Sequence, residues 1–208
     1  CYNTGPGELA ETSLLEQEYA DYQRARFCLA VTSGGQAMQI ALRAAGLRPG
    51  DKILANAYTL APVPGAIHAC GGVPVFVEIG QDWLTDITDL RAKAASSRAK
   101  FFMLSHMRGH IADMEAIVAI CDEFGITLIE DCAQSFRGMP QGKSDVSDVA
   151  MYSFGPIKTA TALGGAVLCV ADGKLTKKMV QIQQAYPTQS TLAYFKRVVK
   201  YGFIKFLS

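Results

Sequence analysis

From residue 28 onward, short apolar runs alternate with stretches of helical composition, and this alternation admits few folds. Cys28–Val31, Lys52–Ala55, Val73–Val77, Phe101–Leu104 and Ile126–Ile129 read as strands. The β-branched and aromatic content of Val73–Val77 suits a pleated surface. Between them Gln36–Ala45, Ala61–Ala69, Thr88–Ala95 and Asp113–Phe124 read as helices. The first stops at Gly46, and the second is entered through Pro62 and Pro64. Strands that are apolar on both faces belong to a sheet covered on both sides. The sequence therefore predicts an α/β fold, a three-layer αβα arrangement with a mostly parallel sheet. A helix over 8–25 precedes it, with Leu9, Leu14, Leu15, Tyr19 and Tyr22 at helical spacing. A strand at Gly165–Val170 and a charged helix at Lys174–Ala185 follow it. Ligands of such sheets bind at the carboxyl ends of the strands. Ser33-Gly34-Gly35, Ala57-Tyr58-Thr59 and Asp131 are expected to emerge on that edge.

Composition narrows the function. Half of the 208 residues are hydrophobic and 19% are charged, as expected of a packed interior. A net charge of +1 provides no field to hold nucleic acid. The longest apolar stretches are interrupted well before the ~18 residues that a membrane span requires. The segment 192–208 mixes Phe195, Val198, Val199, Phe203, Ile204 and Phe206 with Lys196, Arg197, Lys200 and Lys205. A basic amphipathic helix can lie on an anionic membrane. The reading preferred here is a helix packing against further protein, with no membrane association. The start, Cys1-Tyr2-Asn3-Thr4-Gly5-Pro6, has neither Met nor a charged-then-apolar leader, and reads as an internal piece of a longer polypeptide. Cys1, Cys28, Cys70, Cys121, Cys132 and Cys169 form no CxxC pair and no zinc spacing. They read as reduced thiols of a cytoplasmic protein. His68, His106 and His110 are scattered, so no metal is expected.

Two residues carry the chemistry. The apolar run Ile126–Ile129 leads into Glu130-Asp131-Cys132-Ala133-Gln134, and Lys158 follows 27 residues after Asp131 (158 minus 131) in Ser153-Phe154-Gly155-Pro156-Ile157-Lys158. Pyridoxal phosphate needs an amine for its aldehyde, an anion for its ring nitrogen and donors for its phosphate. Lys158 would supply the amine and Asp131 the anion. Ser33-Gly34-Gly35-Gln36 opens a helix directly after a strand, where free N–H groups and the helix dipole suit a phosphate. Each residue also has a plainer reading. Lys158 could be an exposed turn lysine, Asp131 a helix cap, the Gly-Gly pair a tight turn, and Gln134 a surface residue. Cys132, beside Asp131, has no His placed as its base and reads as packing.

In order, Val31-Thr32-Ser33-Gly34-Gly35, Arg48-Pro49-Gly50-Asp51, Pro74-Val75-Phe76-Val77, Glu130-Asp131-Cys132-Ala133-Gln134 and Ser153-Phe154…Lys158…Gly164-Gly165 resemble the DegT/StrS-type sugar aminotransferases. The resemblance runs from about Gly5 to about Ala185, and His106–Met114 matches a further family segment. It implies the fold type I architecture of pyridoxal-phosphate enzymes. It makes Lys158 the lysine that forms the Schiff base and moves the proton, and Asp131 the partner of the ring nitrogen. Gln134 is placed on the ring hydroxyl, with Gly34, Gly35, Gln36 and Ser153 on the phosphate and Leu60 over the ring. It also implies an amino-acid donor (commonly glutamate), a nucleotide-linked keto-sugar acceptor and a homodimer. Residues 1–186 would form the large cofactor domain, and 187–208 a helix leading to a small C-terminal domain outside this chain.

Three positions depart from the family pattern. Gly35 stands where Thr is usual, Leu60 where an aromatic commonly stacks, and Ala162-Leu163 where Gly-Glu often precedes Gly-Gly. They support an alternative, a cofactor-binding but catalytically weak regulatory or scaffolding homologue. The lysine itself speaks against the dehydratase branch, which has His at this place. A nicotinamide-binding domain would need GxGxxG, which Ser33-Gly34-Gly35-Gln36-Ala37 does not supply.

Overall fold

The computed structural model describes residues 6–136, 147–158, 160–187 and 190–207. Cys1–Gly5, Ser208 and the side chains of Phe203, Ile204, Lys205 and Phe206 lie outside the described residues. In chain order the elements are α1 (Pro6–Gln23), β1 (Phe27–Val31), α2 (Gly34–Ala44), β2 (Lys52–Asn56), α3 (Pro62–Ala69), β3 (Val73–Val77) and α4 (Ile87–Ser97). Then come β4 (Phe101–Ser105), α5 (Met114–Phe124), β5 (Thr127–Asp131), β6 (Val149–Ser153), β7 (Ala166–Val170), α6 (Gly173–Gln184) and α7 (Thr191–Leu207). The expected alternation is present throughout. No helix among the described residues is long and apolar enough to cross a membrane.

One sheet has the order β1-β7-β6-β5-β4-β2-β3. β7 is antiparallel to both neighbours, and every other pairing is parallel. Alternate residues of each strand face opposite layers. Leu29, Val31, Ile53, Ala55, Met103, Ile129, Met151 and Leu168 pack with α2, α3 and α6. Leu54, Phe102, Leu104 and Leu128 point the other way, onto α4 and α5. Further along that second face, Cys132, Tyr152 and Cys169 lie under Tyr19 of α1. The result is the expected three-layer αβα architecture.

Capping sets the helix starts. Asp86 accepts N–H bonds from Thr88 and Asp89, Asp172 from Lys174 and Leu175, and Asp113 from Ala116 at 3.2 Å, as its place before an apolar run suggests.

The main difference from the sequence reading is β6. The sequence places Ser153 in a Ser-Phe turn, whereas the structure makes it the last residue of a central strand. Val149-Ala150-Met151-Tyr152 is four apolar residues without alternation, because β5 and β7 flank it and both of its faces are covered. β4 and β5 also run one and two residues further than apolar content suggests. Their pairing continues through Leu104↔Glu130 to Ser105↔Asp131, carrying polar side chains to the carboxyl edge.

Phe102, with no exposed surface at the centre of β4, reports on this packing. Phe102→Ala should lower stability by about 3–5 kcal/mol in urea denaturation. A loss under about 1 kcal/mol would contradict the described core.

Candidate active site

Asp131 ends β5 and is 8% exposed. Its Oδ1 accepts the Ala133 N–H at 3.0 Å. Burial pushes the carboxyl above the usual carboxylate range, while the Ala133 N–H and the charge of Lys158 pull it back. Lys158 lies on another segment of the chain. It sits in the β6–β7 connection, its N–H donating to the Gly155 carbonyl at 3.0 Å. That connection folds onto Phe154, which donates its N–H to Gly165 and accepts from Ala162 and Gly164 at 3.0–3.1 Å.

A cavity of about 250 Å³ opens here, lined by Ala133, Gln134, Phe136, Ser153, Ile157, Lys158 and Ala160. It joins three of the residues singled out from sequence: Gln134, Ser153 and Lys158. Asp131 is not among the lining residues, and its tie to them is the N–H bond from Ala133. The carboxamide oxygen of Gln134 accepts the Arg108 N–H at 3.0 Å, so its amide N–H groups are what it can offer a ligand.

The amino end of α2 reaches the same wall. A Cβ on Gly34 would meet the Ser153 hydroxyl at 3.3 Å, a tight contact, so glycine lets the helix start approach Ser153 without displacing it. Ser33 caps α2 by accepting the Gln36 N–H at 3.2 Å, and the Ala37 N–H bonds the Ser33 carbonyl. Gly34 and Gly35 supply the remaining N–H groups of the first turn, and the space beside Gly35 is open for 4 Å. Gln36 is placed differently from Gly34 and Gly35. Its N–H serves the cap, and its side-chain oxygen accepts from the Thr32 hydroxyl and, at 3.2 Å, from the Thr32 N–H. Leu60 is 39% exposed in the segment after β2 and is not among the cavity-lining residues. Next to it, Thr59 and Ser105 share a hydroxyl bond of 2.8 Å.

On the opposite face of β5, Glu130 Oε2 lies 2.8 Å from His106 Nε2. His106 Nδ1 accepts the Ala112 N–H at 3.4 Å, which leaves Nε2 to carry the proton donated to Glu130. Cys132 joins this pair within 4.8 Å. Hydrogen bonding accounts for both imidazole nitrogens without an ion. Burial, then the charges of Glu130 and Asp131, holds the Cys132 thiol protonated.

Sequence reasoning did not reach Phe136, Ile157 or Ala160 as lining, or Arg108 as the residue that orients Gln134. A backbone donor leaves no mark in residue type. The His106–Glu130 pair had a signal in the two polar residues that follow matched strands.

These donors and charges fit pyridoxal phosphate: two N–H groups and a hydroxyl at a helix start, a buried carboxylate, and an amine on the cavity wall. Residues 6–202 match the model of the DegT/DnrJ/EryC1/StrS aminotransferase family. The chain belongs to this family. Among similar proteins is the pleiotropic regulatory protein of Geobacillus stearothermophilus, 34% identical over 90% of this chain and 50% of that protein. Another is the dTDP-3-amino-3,4,6-trideoxy-alpha-D-glucose transaminase of Micromonospora megalomicea subsp. nigra, 37% identical over 74% of this chain and 42% of that protein. The structure of NtdA from Bacillus subtilis with bound cofactor PMP superimposes with a TM-score of 0.79 at 26% identity, over 91% of this chain and 44% of that one. The chain thus spans about half the length of the curated relatives it matches.

The raised Asp131 pKa sets a pH dependence for this DegT/DnrJ/EryC1/StrS chain without cofactor. Because the folded value lies above the unfolded one, ionising Asp131 removes stability as pH rises through the folded value, and the effect vanishes below the unfolded value. Asp131→Asn keeps an acceptor for the Ala133 N–H and removes the buried charge. Thermal unfolding should place the variant above wild type near about pH 7, with the gap closing toward about pH 4. A variant less stable than wild type at neutral pH would refute this.

Proposed function

We propose that this chain carries the cofactor site of a pyridoxal-phosphate-dependent aminotransferase, which moves an amino group from an amino acid, glutamate in the first instance, to a nucleotide-linked keto-sugar. One observation carries the reading: Lys158 lines the cavity and its charge lowers the pKa of the buried Asp131, whose carboxylate accepts the N–H of the lining residue Ala133 at 3.0 Å. The transaminase named among the relatives supports the substrate class.

When bound, pyridoxal phosphate supplies an aldehyde for amine exchange and a ring that withdraws electrons from the carbon being deprotonated. The N–H groups of Gly34 and Gly35 and the Ser153 hydroxyl bind its phosphate, aided by the α2 dipole. The Asp131 carboxylate holds a proton on the ring nitrogen. The ion pair so formed offsets the desolvation that otherwise raises the Asp131 pKa. Gln134 donates an amide N–H to the ring hydroxyl, and Leu60 covers the ring. Lys158 Nζ takes the proton from the donor's α-carbon and delivers a proton in the reverse half-reaction. Residues 1–186 form the large domain, and 187–208 lead toward a small C-terminal domain. The protein works as a homodimer in the cytoplasm.

A second reading, a cofactor-binding regulatory homologue, has its own support in the relative named as a pleiotropic regulatory protein and in the missing hydroxyl at Gly35.

Titration with pyridoxal phosphate should produce a visible absorption band that Lys158→Ala abolishes and glutamate shifts. A band indifferent to every amino donor would favour the regulatory reading, and no band would reject both. Nothing lies within 4 Å of a Cβ at Gly35, so a side chain can begin there without a clash. Gly35→Thr should tighten pyridoxal phosphate binding by about 3- to 10-fold, the worth of one phosphate hydrogen bond. Fluorescence titration measures it, and an unchanged or weaker affinity would remove Gly35 from the phosphate site.

A further inference from the structure

Away from this cavity, Cys28 of β1 and Cys169 of β7 face each other in register, with their sulfurs 3.4 Å apart and unbonded. The kind of pair they form follows from Ala30. Its N–H bonds the Glu16 carboxylate at 2.8 Å and its carbonyl accepts from Gln183 at 2.6 Å, so both backbone groups turn away from β7. In an antiparallel ladder the pattern repeats every second residue, which makes Cys28↔Cys169 a non-hydrogen-bonded pair as well. Such pairs bring Cα atoms to about 4.5 Å, inside the range of roughly 4.4–6.8 Å that a disulfide spans. Cys169 is fully buried and Cys28 is half-buried, so an oxidant in solution meets Cys28 first.

We propose that Cys28 and Cys169 are a redox-active dithiol, which peroxide converts to a disulfide tying the edge strand β1 to β7. The Cys28 sulfur attacks one oxygen of hydrogen peroxide. The O–O bond breaks, a sulfenic acid forms and one water leaves. The Cys169 sulfur then displaces the hydroxyl from that sulfenic sulfur. The S–S bond forms, and the hydroxyl departs with the Cys169 proton as a second water. Two electrons and two hydrogens pass from the thiols to the peroxide. The bridge closes a loop containing Gly34, Gly35, Asp131, Ser153 and Lys158, and restricts the unfolded chain by a long-range link. It tethers the strand whose end starts α2. The inference stands whether or not the proposed transfer reaction holds.

The test uses the whole 208-residue chain, treated with hydrogen peroxide, alkylated and mapped by mass spectrometry without reductant. A Cys28–Cys169 cross-linked peptide pair that dithiothreitol removes is the expected result. It should come with a rise in melting temperature of roughly 5–15 °C that dithiothreitol reverses. Cys28→Ser should lose both the bridge and the rise, while Cys132→Ser should keep both. The mapping is decisive on the wild-type chain alone. A Cys28–Cys132 bridge, or both thiols still fully alkylated after the peroxide is consumed, overturns the proposal. So does a bridge that leaves the melting temperature unchanged.

Discussion

The carboxylate at the end of β5 organises this structure. A buried anion is expensive unless something answers it, and here the responses come from two directions. The Ala133 N–H is local and follows from the turn itself, and Lys158 arrives from the β6–β7 connection. Neither fully compensates for burial, since the carboxyl remains above its ordinary range. An interior position that disfavours its own charge is suited to a ligand cation, and that residual imbalance separates this site from a structural ion pair.

Sheet geometry divides the polar residues at the carboxyl edge into two groups. Asp131 has the same orientation as Ile129 and points into the layer of α2, where Ser153 meets Gly34. Glu130 and His106 point into the opposite layer and satisfy each other there. Adjacent residues of one strand thus serve different purposes, because side chains alternate across a sheet. The same alternation separates Cys132 from the cavity despite its place beside Asp131 in sequence.

Much of this was legible beforehand. The strand-helix alternation led to the layered architecture, and the Asp131 and Lys158 motifs pointed to one end of the sheet. β6 was not legible, because a short strand covered on both faces shows no periodicity. Gln36 illustrates a second limit. Residue type does not show that its backbone N–H meets the Ser33 hydroxyl while its side-chain oxygen accepts from Thr32. The orientation of Gln134 by a backbone donor, and the cross-strand apposition of two cysteines 141 positions apart, arise only when the chain is folded.

The reversed direction of β7 has an architectural effect of its own. A parallel successor to β6 would have required a return crossover, normally a helix packed on one layer. An antiparallel one lets the chain turn back at the same edge, so the lysine is carried by an irregular link. Phe154 anchors the start of that link in the cluster beneath α1, while Ile157, beside the lysine, is 90% exposed. Substitutions at Ile157 can therefore reshape the approach to the amine while the sandwich beneath stays unaltered.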